Sequence, residues 1–421
     1  MRRRHIKGTG TLAMLLILLL AASLMLLYAN RALIFEQRSA ANQWRATQAF
    51  EAAEAGRNWV IAQLNQRGEI DSACQPVAAA GAAPANNRFR QRYLSVDAAT
   101  GRISPAVAAA PGCAVTDNDW RCHCPASGNA SLSAAADTET PAFSLRLSAG
   151  PTPGSLRVDV SGCSHVGVSC GGSAPVDATA QVQFMLAALS ALARPPAATL
   201  SSGGTLTLQS GVSVANTDPA SGGTTVATGG LLQLAPEVHL IGPAGSLGGA
   251  DSAVSADAQF LDGSGALLPD ERLFAQVFAL SRNAYRDLPT VQVLSCQSGC
   301  SATEVDAAIA SGARLIWIDG TLHVSSSPSW GTDAAPLLLI IDGSAQIDGQ
   351  LQFTGLLHAR SLSWNNPSAA AGTLRGAVIT TGSLQASGAL QLVRDAEVLA
   401  RLAQAEGAFI PVPGSWRDFV D

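Results

Sequence analysis

Nineteen consecutive residues without a charge, Thr11 to Ala29 (TLAMLLILLLAASLMLLYA), follow a basic head of Arg2, Arg3, Arg4, His5 and Lys7. At 1.5 Å per residue such a run makes about 28 Å of helix, close to the roughly 30 Å hydrocarbon core of a bilayer. The pattern then changes without a break. Neither proline nor a turn cluster interrupts the chain before Gly56, and Ala46, Ala49, Phe50, Ala53, Val60, Ile61 and Leu64 recur at helical spacing while Glu51, Glu54, Arg57 and Asn58 occupy other faces. Gly68 supplies the stop. The spacing predicts one helix over 11–66, about 80 Å long, whose first half suits lipid and whose second half offers an apolar stripe to protein.

Beyond the helix, residues 69–140 are rich in Ala and Pro and read as loops with one short strand near Arg92 to Val96. From Phe143 the period becomes two. Phe143, Leu145 and Leu147, the turn Pro151 to Gly154, and Leu156, Val158 and Val160 predict an antiparallel hairpin. Ala178 to Met185 adds a third strand with Ala178, Ala180, Val182 and Phe184 on one face. A meander of this kind can cover the helix's apolar stripe with its own apolar face.

After Arg194, Pro195 and Pro196 the character changes again. Leu200 to Val214, Leu232 to Leu240 and Ile316 to Val324 alternate, and the clearest run is Ile341, Gly343, Ala345, Ile347, Gly349, Leu351, Phe353, Gly355 and Leu357, with polar residues between. Glycines six apart return at Gly376, Gly382 and Gly388, so that Gly376 stands 33 residues after Gly343. Alternation this long must bend at its glycines while one face stays inside, which predicts coils of a small β-solenoid, with an antiparallel sandwich as the alternative. Short helices are expected over Pro269 to Leu280, from the capping box of Ser301 and Glu304 to about Gly312, and over Asp395 to Glu406. Trp416 and Phe419 are expected to dock on the solenoid end. The fold class is α+β: a leader at 1–10, a stem helix at 11–66, an antiparallel β head at 67–192 and a solenoid-like or sandwich domain with short helices at 197–421.

Composition sharpens this. The chain has 421 residues, a formal charge of −5 and only 14 % charged residues, and Lys7 is its only lysine. No basic patch suits nucleic acid, and no lysine beyond the head is present to cradle phosphate or form a Schiff base. The positive residues ahead of the apolar run place that end in the cytoplasm and send the rest across the membrane. Eight cysteines in an exported chain favour disulfides. Cys163 with Cys170 and Cys296 with Cys300 are the close pairs, leaving Cys74, Cys113, Cys122 and Cys124 to pair among themselves. Neither Cys113, Cys122, His123 and Cys124 nor Cys163, His165 and Cys170 has zinc-site spacing. Asp117, Asn118 and Asp119 lack the glycine and distal glutamate of a calcium loop and read as a solvated turn. Asp319, Asp342 and Asp348 each precede glycine, the ordinary structural use of Asp in turns. His123, His165, His239, His323 and His358 lie in unrelated contexts, and the last two, on outward parities, read as solvated. The composition points to no enzyme, cofactor or metal.

The basic leader ending in glycine, the apolar stem and the segment FEQRSAANQWRATQAFEAAEAG resemble the N-terminal domain of PilX-type minor pilins of type IV pili, over roughly residues 5–66. The segment VDVSGCSHVG with ATAQVQF resembles, more weakly, the head sheet of the same family. The resemblance implies a prepilin cut by a prepilin peptidase after Gly8 or Gly10, and a single-pass inner-membrane protein with its bulk in the periplasm. It implies partners among other minor and major pilins, the inner-membrane assembly platform and a tip adhesin, with assembly through a stem face of Ala46, Phe50, Ala53, Val60 and Leu64. Major pilins carry glutamate at the fifth mature position, which here is Ala13 or Leu15, so an end or rare subunit is implied over a bulk one. A minor pseudopilin of a type II secretion system shares this stem logic, and a signal-anchored adhesin or glycan-active solenoid is the third reading.

Overall fold

The computed structural model describes residues 9–77, 88–97, 100–132, 140–167, 170–172, 177–243, 252–405 and 407–418. Helix α1 runs unbroken from Thr9 to Asn65, 57 residues and about 85 Å long. Its lower half is bare, whereas Ala49, Ala52, Ala53, Val60 and Leu64 in the upper half are buried. The sheet lies so close that a Cβ on Gly56 would come within 2.6 Å of Val160 Cγ1, so only glycine permits the approach.

That sheet is built from β1 (Gly112–Thr116), β2 (Asp119–His123), β3 (Ala142–Ala149), β4 (Ser155–Cys163) and β5 (Thr179–Leu189), all antiparallel. The anticipated hairpin is β3 with β4, in register Leu145 to Val160 and Leu147 to Val158. Its apolar face, with Phe143, Val182, Phe184 and Leu186, closes on the stem's Ala53, Val60 and Leu64. Val60, Leu64, Val182 and Leu186, all fully buried, each contribute about 2 kcal/mol.

Residues 69–140 hold more order than their composition suggests. Asp117 and Asn118 have φ of +53° and +66°, the left-handed pair that a two-residue hairpin turn requires, and they join β1 to β2. The expected strand near Arg92 is present as Leu94–Val96, paired with Ile103–Pro105, and its first two expected residues, Arg92 and Tyr93, end helix α2 (Phe89–Tyr93). Disulfides join Cys74 to Cys124, Cys113 to its cross-strand neighbour Cys122, and Cys163 to Cys170.

The second region is a stack of parallel coils. Among the described residues every ladder between its strands is parallel, as successive turns of a coil must be and as an antiparallel sandwich is not. Strands β6 (Leu200–Ser202), β7 (Leu206–Leu208) and β8 (Val212–Ala215) form one coil, and β9 (Val226–Thr228), β10 (Leu232–Leu234) and β11 (His239–Ile241) stack on it. Helices α3 (Asp270–Phe278) and α4 (Arg282–Arg286) then lead to the other end of the stack at Val291–Ser295. Coils containing Leu315–Asp319, Leu337–Asp348, Gln352–Asn366 and Gly372–Thr380 return toward the first. The last coil lies against β6 to β8, with Val378 beside Leu200, Leu384 beside Leu206 and Leu390 beside Val212. The stack therefore starts and finishes in its own middle. Leu206, Leu208, Val214, Ile341, Ile347, Phe353 and Leu357 fill the interior. The 33-residue repeat does not survive: Gly376 faces Gly355, and Gly388 faces Asn366, because coil lengths vary with the corner loops.

Helices α3, α5 (Ala302–Ala310) and α6 (Ala396–Ala405) stand where periodicity places them, and the Ser301 and Glu304 capping box is formed. The Cys296–Cys300 disulfide lies just before α5. Helix α4, capped by Ser281, was not anticipated. The tail departs from expectation more strongly. Ala408–Pro411 leaves the stack and adds an antiparallel edge strand to β5 of the head, and Trp416 lies on the stem, not on the solenoid end. Phe419 lies outside the described residues.

His358 is another correction. It does point away from the coil interior, but α3 covers that outer face, so its ring is fully buried between Phe274 and Phe278. Neither ring nitrogen has a hydrogen-bond partner among the described residues. Burial, with the nearby Arg282 and Arg360 charges outweighing Asp270, pushes its pKa down from 6.5 to about 3. An unfolded chain protonates the ring near pH 6.5 and the folded one only near 3, so between these values the unfolded state binds more protons. Stability should fall as pH falls through that window, at up to about 1.4 kcal/mol per pH unit. Melting temperature against pH should show this acid limb, and His358→Leu should flatten it; equal slopes in the two proteins would refute the assignment.

Candidate functional site

Among the described residues the lower stem presents a long, continuous apolar surface. Its most apolar window has a mean hydropathy of 2.6 and no part of it is buried. Met25, Leu26, Tyr28 and Phe35 are each more than two-thirds exposed. A surface of that size requires lipid or other helices around it, and the helix is compatible with membrane anchoring.

The five positions expected on an assembly face divide. Ala53, Val60 and Leu64 are wholly buried under the chain's own head, because the apolar stripe of the upper stem is the surface the sheet needs. They cannot meet a neighbour. Ala46 is exposed, and Phe50 is 37 % exposed, edge-on to Trp416 with ring centroids 6.4 Å apart. Trp416 Nε1 donates to Glu54 Oε1 at 2.8 Å. The outward surface of the upper stem is thus a composite of stem and C-terminal tail, which periodicity along the helix alone could not reveal.

The stem's upper end is tied down by polar groups. Arg90 Nε donates to Leu64 O at 2.9 Å and its Nη1 to Gly407 O at 2.7 Å, satisfying a carbonyl that the helix terminus leaves open. The buried Asn65 side chain donates to Phe409 O at 2.9 Å and accepts from Phe409 N at 2.8 Å, pairing with the tail as a strand would. Arg67 reaches Gln292 and Arg88 Nη2 donates to Gly312 O, so the stem end also grips the coil stack.

The aspartates that could suggest catalysis are tied up in structural contacts. Asp319 accepts from Arg286, Ser295 and Trp317, and chiefly the Arg286 contact holds its carboxyl down to about 2. Asp342 bridges Arg282 and Arg360, and Asp348 meets the exposed His323 at 3.2 Å. Gly167 to Gly171 carries a G-x-S-x-G spacing, and its Cys170 is disulfide-bonded to Cys163. Ser169 itself lies outside the described residues. Among the described residues no group of three His, Cys, Asp or Glu is placed to hold a metal, and every cysteine is in a disulfide.

Residues 10–57 match the protein-family model described as PilX N-terminal, the same family that the stem residues resemble. No curated protein matches the chain. Among solved structures, the crystal structure of the competence-associated pilin ComZ from Thermus thermophilus aligns over 89 % of this chain and 98 % of its own, at 12 % identity and a TM-score of 0.22.

Proposed function

We propose that this chain is a minor-pilin-like structural subunit that joins the initiating or tip complex of a type IV pilus through its stem. The observation that carries the reading is the stem itself: one continuous helix whose apolar half nothing among the described residues covers, while its other half is built into the head. A signal anchor needs only the first half. In this reading the chain sits in the inner membrane with its bulk periplasmic. A prepilin peptidase cuts it, and other pilins and the assembly platform receive it.

Processing tests the first step. Co-expression with a prepilin peptidase should leave a new N-terminus at Thr9 or Thr11, and bulky replacements at both Gly8 and Gly10 should prevent it. Mass spectrometry finding Met1 retained beside an active peptidase would remove the main support.

Assembly is tested at Phe50. A charge there loses hydration in a dry bundle of stems without gaining a partner, at a cost of several kcal/mol. In the isolated subunit the same carboxylate reaches water, because Phe50 is already more than one-third exposed. Phe50→Asp should therefore leave the head as protease-resistant as before and lower the number of pili at least tenfold. A folded F50D protein with full piliation would show that the stem is not an assembly element.

A further inference from the structure

The last residues of the chain reach the stem by way of the closed coil stack. Helix α6 seats Leu399 and Leu402 in one cluster with Leu356, Ala377 and Ile379, which belong to the two final coils. One of those coils, Gly372–Thr380, closes the stack, with Val378 beside Leu200. From this seat the chain passes Gly407 and runs along β5. Ala408–Pro411 pairs with residues 186–189, Val412 N donates to Met185 O at 2.9 Å, and Arg417 and Gln183 exchange two backbone hydrogen bonds of 2.8 Å. That ladder carries Trp416 to the stem, where it meets Phe50 and Glu54. At 41 % and 37 % exposed, Trp416 and Phe50 are held in place yet open to a neighbour.

We propose that Trp416 is a completion gate for assembly: a neighbouring stem engages the upper stem only when Trp416 lies on it, and Trp416 lies there only when the coil stack has closed. Without the seat for α6 the tail hangs on a longer, loose tether, and its effective concentration at the head edge falls. Phe50 then loses the ring beside it, and Glu54 the N–H that orients it. The stack is the slow part to fold, since its parallel ladders join strands as remote in sequence as Leu200 and Val378, so unfinished subunits exist for a gate to reject. The occupant is the stem of a neighbouring subunit, because this face runs on along the same helix into the bare lower stem, which itself needs helices or lipid around it. The gate rests on the reading of the stem as an assembly element and adds the signal that controls it.

Pilus counts and head melting temperatures of Trp416→Ala and Trp416→Phe, measured beside Phe50→Asp, test the first half. Trp416→Ala should shift the head's melting by a few degrees at most, because the ring is already 41 % exposed, and lower the number of pili at least tenfold. Trp416→Phe keeps a ring against Phe50 and should recover most of that loss. Full piliation of Trp416→Ala overturns the gate, and if Phe50→Asp lacks pili in the same strain the assembly reading survives that result. Piliation that falls only in step with head melting in both variants makes Trp416 a structural tie and overturns the gate as well. The second half is read from the indole N–H resonance of Trp416 in full-length protein in detergent micelles, assigned by its absence in Trp416→Phe. It should move to the solvent-exposed position in Gly355→Val, where a side chain at a φ of +147° breaks the coil register. Leu402→Asp, which unseats α6, should do the same and serves if Gly355→Val keeps its stack. A resonance unmoved while the stack or the α6 seat is lost would show that the tail docks without closure, and overturns the proposal.

Discussion

Gly355→Val should abolish the folded coil stack, with a loss above about 4 kcal/mol, the range reached when a special backbone conformation and close packing fail together. Gly355 has φ of +147° and Gly376 +136°, where a side chain is strained whatever the space. Space is also missing. A Cβ on Gly355 would lie 1.8 Å from Leu337 O, and one on Gly376 would lie 1.8 Å from Gly355 O. Leu337, Gly355 and Gly376 are register partners in three successive coils, so the inserted side chain separates ladders that run at about 4.8 Å. Gly263→Val is the control, since open space surrounds its Cβ position. Circular dichroism melts of the full chain in detergent should show the stack transition lost in G355V and kept in G263V. A melting temperature for G355V within a few degrees of the parent would contradict the coil register itself.

Ending the chain at Gly407 should destabilise the head more than the stack, although the deleted residues follow the stack in sequence. The deletion removes Phe409 from the head core, worth about 3–5 kcal/mol by the usual cost of emptying an aromatic site. It strips the hydrogen bonds from the β5 edge and leaves the buried Asn65 side chain without Phe409, about 1–3 kcal/mol more. The contacts of Ser415 with Met185 and of Trp416 with Glu54 also go. The head of the truncated protein should melt at least 10 °C lower and be cut by protease near Leu189, while the stack's transition stays in place. Loss of the stack with the head intact would place the tail where its position in the sequence suggests and not where the strand pairing puts it.

The residues of the stem and of the β3 to β5 meander could be read directly. Their periods name the element and the buried face, and Val160, Val182 and Phe184 are inside as alternation requires. The Asp117 and Asn118 turn was legible as a turn, because both residue types tolerate the left-handed region, but the two strands it joins were not, since their runs are too short to show a period. The candidate assembly face was legible only in half. Helical spacing shows that Ala46, Phe50, Ala53, Val60 and Leu64 lie near one another, but not that the sheet claims the last three and that Trp416 arrives from the far end of the chain to lie beside Phe50.

By itself, the sequence determined the stem with its bare lower half, the three-stranded meander and the longer alternating coil strands, because these follow from periodicity within a few turns of chain. Tertiary structure alone decided which surface met which. Ser202 and Gly382 are hydrogen-bonded across 180 positions, Asn65 and Phe409 across 344, and His358 lost its solvent to a helix whose Phe278 lies 80 positions upstream. Local pattern carries no information about such partners, since the entropy of closing a loop rises only as the logarithm of its length and distant segments compete almost as well as near ones. Shape decided among them: the coil with leucines in matching columns closed the middle of the stack, and the strand carrying Phe409 closed the head.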